Sequence, residues 1–228
     1  MTILALDSSS RAASCALVRE GQLAGEMFAN IGSTHSQTLM PMVEQLLSLT
    51  ATTPAQIDVY AVTTGPGSFT GLRIGLSCIK GMALATGKPC AGIPTLTALA
   101  AGVAGYEGYI CPVMDARRGQ VYTALFECGE SGLIRISEDE AMSVEALSDK
   151  LAGLSSPPML VGDGGNMVSG LLGCPAKLAP ERFLHQRAGA VASLAQDLAA
   201  RGQLIDSRKL TPVYLRLPGA ERERLGIE

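Results

Sequence analysis

The chain has 228 residues, 47% of them hydrophobic and 17% charged, which excludes a disordered chain and suffices for one large core or two lobes of about 100 residues. A formal net charge of -3 and a pI near 5.5 give no overall basic field for holding nucleic acid through its phosphates, so RNA is not expected to bind this chain alone. So little charged surface also favours a face buried against a partner.

The opening residues 2–6 predict a buried strand that runs into Asp7, Ser8, Ser9 and Ser10, and residues 12–18 return as a second strand. The polar tip has two readings. Asp7 and the serines can hold a phosphate or a hydrated cation, or they can close the turn with local hydrogen bonds. A third strand over 23–29 precedes a helix over 36–49, where Leu39, Met40, Val43, Leu46 and Leu47 recur at helical spacing and Met42 widens the apolar arc. Ser33 and Thr34 offer capping hydroxyls, and Pro41 fits the first turn of a helix that starts near Leu39.

Residues 57–62 are short and β-branched, and Thr63-Thr64-Gly65-Pro66-Gly67-Ser68-Phe69-Thr70-Gly71-Leu72-Arg73-Ile74-Gly75 then leads into helical spacing through Leu72, Leu76, Ile79, Met82 and Ala83. This strand, loop and helix can present unpaired N–H groups to an anion, or the loop can be a tight packing turn. It is neither a P-loop nor a dinucleotide turn. The helix ends near Gly87, a strand over 90–93 follows, and a helix is expected over 96–104.

Glycines 102, 105 and 108 then thin the pattern, which places a boundary between lobes 1–104 and 105–228. A strand over 109–114, the polar turn from Asp115 to Gln120 and a returning strand over 121–128 repeat the opening of the chain: apolar strand, aspartate at the tip, returning strand. Beyond them a helix is expected over 143–154, a strand over 159–161, a second glycine-rich turn at Gly162-Asp163-Gly164-Gly165 before 167–172, and a helix over 188–201. Tyr214-Leu215-Arg216 precedes Pro218-Gly219 and a charged tail, 221–224, expected to fray.

The six cysteines form no Cys-x-x-Cys pair and lie in apolar contexts, as reduced core thiols would. With no zinc spacing, signal peptide or membrane span, the expected compartment is the cytoplasm. Ser8, Ser9, Ser68 and Cys78 are nucleophiles by type only, because no histidine has a recognisable place beside them.

Asp7-Ser8-Ser9, the run from Thr64 to Gly75, Asp115-Ala116-Arg117, Gly162-Asp163-Gly164 and Pro212-Val213-Tyr214-Leu215-Arg216 together resemble the TsaB (YeaZ) family, and the likeness spans nearly the whole chain. It implies an α/β protein of the duplicated actin and Hsp70-like ATPase (ribonuclease H-like) fold in two lobes. It implies a non-catalytic scaffold subunit that works with TsaD and TsaE in N6-threonylcarbamoylation of adenosine 37 of ANN-decoding tRNAs, with a TsaC-type enzyme supplying the group. TsaD binds its metal through a His-x-x-x-His pair. The matching positions here are Thr95 and Leu99, neither an imidazole, so no metal site and no catalytic residue is expected.

The resemblance also implies that the two central helices meet a partner, through Leu39, Met40, Val43, Leu47, Leu72, Leu76 and Ile79, in a homodimer or a complex with TsaD. No cofactor of the chain's own is implied. ATP or ADP is admitted at the subunit junction, near Asp7, Gly67, Ser68, Gly71 and Arg73, and tRNA is met through the complex only. Two alternatives stay open: an independent ATPase or phosphotransferase of the same fold using Asp7, Gly67 and Gly164, and a self-associating binding module.

Overall fold

The computed structural model describes residues 1–216; the expectations for Pro218-Gly219 and for the 221–224 tail lie outside the described residues. The first half is a five-stranded sheet of β1 (Thr2–Asp7), β2 (Ala13–Arg19), β3 (Gln22–Ala29), β4 (Val59–Gly65) and β5 (Cys90–Pro94), in the order β3-β2-β1-β4-β5. The first three strands are antiparallel, and β1, β4 and β5 run parallel. The parallel strands are apolar on both faces because helices cover both. Those helices are α1 (His35–Leu49), α2 (Phe69–Thr86) and α3 (Thr95–Ala101).

The second half repeats this plan. Its strands are β6 (Gly108–Arg117), β7 (Gln120–Thr123), β8 (Phe126–Gly129), β9 (Gly132–Arg135), β10 (Glu140–Ser143), β11 (Met159–Val161) and β12 (Lys177–Leu178), and the order β10-β7-β6-β11-β12 matches the first sheet strand for strand. The helices α4 (Val144–Ala152), α5 (Gly165–Ser169) and α6 (Ala188–Ala200) stand where α1, α2 and α3 stand in the first half. The expected strand over 121–128 is split: β7 and β8 lie along β6 in one register, Thr123 opposite Val113 and Phe126 opposite Ile110. Between them Leu125 turns away, its N–H donating to Ser137 Oγ and its carbonyl accepting from Ile136 and Ser137.

Each half lends its last helix to the lobe junction. Leu96, Leu99 and Ala100 of α3 pack with Ile110, Met114 and Phe126 of the second lobe, whereas Val191, Ala192 and Ala195 of α6 pack with Ile3, Ala5 and Val18 of the first. A cut between residues 104 and 105 therefore leaves α6 on the far side of the core it completes. Glu26 fixes α6 there, accepting from Gly189 N at 2.9 Å and from Arg187 Nη2 at 2.6 Å.

Two expectations about the central helices are corrected. Helix α1 starts at His35, so Pro41 sits inside it rather than in its first turn. The missing N–H would have met the Gln37 carbonyl, and both residues lie on the exposed side of the helix. The second correction concerns the partner face. Leu39, Val43, Leu76 and Ile79 are buried in the chain's own first core with Leu4, Leu6, Tyr60 and Val62, and Leu72 is fully buried as well. Their apolar stripe is needed to cover the sheet, so none of them faces outward. Of the seven residues expected at a partner, Met40 is exposed and Leu47 half-buried; Leu49 and Leu84 add further exposed apolar surface on the same two helices.

Cys15, Cys90, Cys111 and Cys128 are buried free thiols, while Cys78 and Cys174 are half-buried. Burial pushes the Cys15 thiol up to about 12 and the Cys90 and Cys111 thiols up to about 11, so these three are inert at neutral pH.

Candidate functional site: the cleft between the lobes

The C-terminal ends of β1, β4, β6 and β11 meet at a cleft of about 890 Å³, lined from the first lobe by the 9–11, 32–36 and 67–71 turns and from the second by Met114–Arg117, Tyr122 and Asp163. Tyr214, Leu215 and Arg216 run along it as a third wall.

At the floor, Asp7 is completely buried. Its Oδ1 accepts from Ser9 N at 2.9 Å and from Ser9 Oγ at 2.7 Å. Oδ2 has no partner within hydrogen-bond distance, nor has the neighbouring Thr63 hydroxyl, which is still close enough to favour the charged carboxylate. Burial outweighs these interactions and raises the carboxyl to about 6. The tip of the first hairpin therefore realises the turn reading of its sequence. Ser9 closes over Asp7 as an Asx turn, and the carboxylate has no solvent exposure.

The central loop is tied to the same tip. Ser68 N donates to Ser9 O at 2.6 Å, Ser8 Oγ donates to Gly71 O at 2.9 Å, and Gly71 N donates to Ser68 Oγ at 3.2 Å. Glycine is required by closeness: a Cβ on Gly71 would stand 2.0 Å from Ser8 O, and one on Gly67 2.3 Å from Ser9 O. The N–H of Ser68, which an anion at this helix start would use, is thus occupied, and that of Gly71 caps the helix. The loop packs the hairpin against α2, the second of the two roles its sequence allows. In the second lobe Gly164 N donates to Val113 O at 3.0 Å.

Arg73 lies outside this floor. Its guanidinium stacks 3.7 Å from the centroid of the Phe69 ring, Phe69 stacks on Tyr214 at 4.7 Å, and Arg73 Nε donates to the Tyr214 hydroxyl at 3.1 Å. The residues 211–216 are a strap: Val213 N donates to Thr64 O at 2.7 Å in the first lobe and Arg216 Nη1 donates to Ala116 O at 3.0 Å in the second. Asp7, Gly67, Ser68 and Gly71 are therefore brought together, and Arg73 is turned to the strap.

Thr95 and Leu99 are buried in α3. His35 Nε2 donates to the Ser10 carbonyl at 2.7 Å, and the His185 ring packs tilted against Phe28 beside Asn30. Among the described residues no group of three His, Cys, Asp or Glu side chains converges as a cation site would require. Sequence reasoning missed Arg11, Arg117 and Arg216 as cleft residues, although Asp115-Ala116-Arg117 and the Tyr214-Leu215-Arg216 stretch had already stood out.

The family described as TsaD, tRNA N6-adenosine threonylcarbamoyltransferase, matches residues 29–170. The tRNA threonylcarbamoyladenosine biosynthesis protein TsaB of Bacillus subtilis is 32% identical over 97% of this chain and 96% of its own length. This chain belongs to the TsaB family. TsaB of Escherichia coli is likewise 32% identical, over 97% of this chain and all of its own. The solved structure of YeaZ from Pseudomonas aeruginosa superposes with a TM-score of 0.82 at 28% identity, covering 94% of this chain and 99% of that one. The fold is the actin and Hsp70-like ATPase fold, and the TsaB family places the chain in tRNA threonylcarbamoyladenosine biosynthesis.

Proposed function

We propose that this TsaB-family chain is a non-catalytic subunit that pairs with TsaD, and with TsaE completes the assembly that threonylcarbamoylates adenosine 37 of ANN-decoding tRNAs. The observation that carries this reading is the sealed floor of the cleft. Asp7, the strand-tip carboxylate that a phosphotransferase of this fold would expose, is covered by Ser9, and the Ser68 N–H beside it is taken by Ser9 O. A phosphotransferase needs positioned cations and free backbone donors around the phosphates, and here the N–H groups of Ser68 and Gly71 are taken by Ser9 O and Ser68 Oγ. That argues against the independent ATPase.

The partner surface is the exposed part of α1 and α2 around Met40, Leu49 and Leu84, and the same surface serves a homodimer when TsaD is absent. Any ATP or ADP of the assembly sits at the junction of the two subunits. Among the described residues no helix is long and apolar enough to cross a membrane, which agrees with work on tRNA in the cytoplasm. Association tests the reading. Sedimentation of the purified chain with TsaD should give a stable hetero-complex at micromolar concentration; two separate species at every concentration would refute the pairing.

A further inference from the structure

The two hairpin tips that occupy equivalent places in the two halves both carry arginine over the cleft. Arg11, after the Ser8–Ser10 turn, and Arg117, after Asp115, line the cleft, and Arg118 is the next residue of the second tip. Arg117 and Arg118 have φ values of +67° and +54°, followed by Gly119 at +70°. Arginine adopts the left-handed region at a cost that Asn or Gly in such a turn would avoid, so the turn geometry does not explain the residue type. Arg216 joins them from the strap. The rim is open to solvent: Arg11 and Arg118 are exposed, and the Arg117 side chain is 85% exposed.

The carboxylates of the cleft do not cancel this rim. Asp115 accepts from Arg117 N at 2.7 Å and pairs with Arg117 Nη1 at 3.3 Å, which holds that one guanidinium. Asp163 is held under Asp115 N at 3.4 Å, and burial raises its pKa toward the neutral form. Arg11 and Arg118 are exposed to solvent, and Arg216 spends one nitrogen on Ala116 O.

Two kinds of phosphate could meet such a rim. A mononucleotide needs a cradle of backbone N–H groups, and at the cleft floor those of Ser68 and Gly164 already donate to Ser9 O and Val113 O. A polynucleotide backbone needs only separated, solvent-facing cations. We propose that Arg11, Arg118 and Arg216 contact the phosphate backbone of the substrate RNA. The proposal rests on the reading of the chain as a subunit of a tRNA-modifying assembly. The net charge of -3 means that the rim positions RNA held mainly by the rest of the assembly.

The test is the affinity of the assembled complex for labelled tRNA, measured by anisotropy at several salt concentrations. The Arg11→Ala/Arg118→Ala pair is compared with Arg201→Ala/Lys209→Ala, which removes the same charge at the opposite end of the first sheet. The rim pair should weaken binding about tenfold or more and lower the slope of log K against log salt by about two, with unchanged melting temperature and complex mass; the control pair should do neither. Equal effects of the two pairs, or no effect of the rim pair, would overturn the proposal. So would a rim pair that loses ADP binding while keeping tRNA. If the hetero-complex does not assemble, the proposed function fails at that step, and the same two pairs compared on the isolated chain at low salt still judge the rim.

Discussion

Ser68 donates its backbone N–H to the Ser9 carbonyl at 2.6 Å, so the start of α2 is bonded to the turn that follows β1. The bond closes the cleft floor, and the two glycines beside it exist because the backbones approach so closely. Gly71→Ala would put a Cβ 2.0 Å from Ser8 O, a backbone atom that cannot swing away. The expected loss is about 3 kcal/mol, the upper end for overpacking, read as a lowered urea midpoint. Gly81→Ala, where nothing lies within 4 Å of the new methyl, should leave stability level or raise it by up to about 1 kcal/mol.

Asp7 gives a pH signature. Its folded pKa of about 6 lies above the ordinary value of 3.8, so the stability it contributes is present below pH 4 and is lost as pH rises through 6. Asp7→Asn keeps an acceptor for both Ser9 donors. It should flatten the stability profile between pH 4 and 7 and raise stability at pH 8 by on the order of 2–3 kcal/mol. Urea midpoints of the two proteins across that range decide it; a variant less stable at pH 8 with an unchanged profile would contradict the assignment.

The partner surface separates from the core by residue. Val43→Asp buries a charge in the first core, where Val43 is 1% exposed, and should unfold the chain rather than split a complex. Met40→Asp and Leu84→Asp, at 41% and 72% exposure, should change the melting temperature little and weaken TsaD binding at least tenfold. Binding equal to the unaltered chain would move the interface elsewhere.

Arg135 joins the lobes: Nη2 donates to Thr97 Oγ1 of α3 at 2.8 Å and Nη1 to Asp139 at 2.6 Å, and the guanidinium lies over the Phe126 ring. Arg135→Ala should cost about 2 kcal/mol, and Arg135→Lys should recover less than half, since one ammonium cannot span both acceptors. Thermal melts of the three proteins check this.

The duplicated plan was legible because each half begins with the same strand, aspartate and returning strand, and because the glycine runs at 65–75 and 162–165 mark strand-to-helix turns. The strands β9 and β10 were not, since four-residue strands leave too few alternations to register. Helical spacing also misled: Leu39, Val43, Leu72 and Leu76 repeat as an interface stripe would, and periodicity cannot say whether the sheet or another subunit covers it. Of the cleft arginines, Arg117 and Arg216 lay in motifs already singled out and Arg11 did not, and which side of a turn faces the cleft is decided by packing between residues about 100 positions apart, such as Arg216 and Ala116.

The central claim is that the chain is indispensable to the modification yet performs no transfer. The direct measurement is threonylcarbamoyladenosine formed in an ANN-decoding tRNA from threonine, bicarbonate and ATP, with TsaC-type enzyme, TsaD and TsaE supplied. The account predicts full activity with this chain, background activity without it, and background activity when it replaces TsaD. Modified tRNA formed by this chain in the absence of TsaD, or unimpaired modification in its own absence, would contradict it.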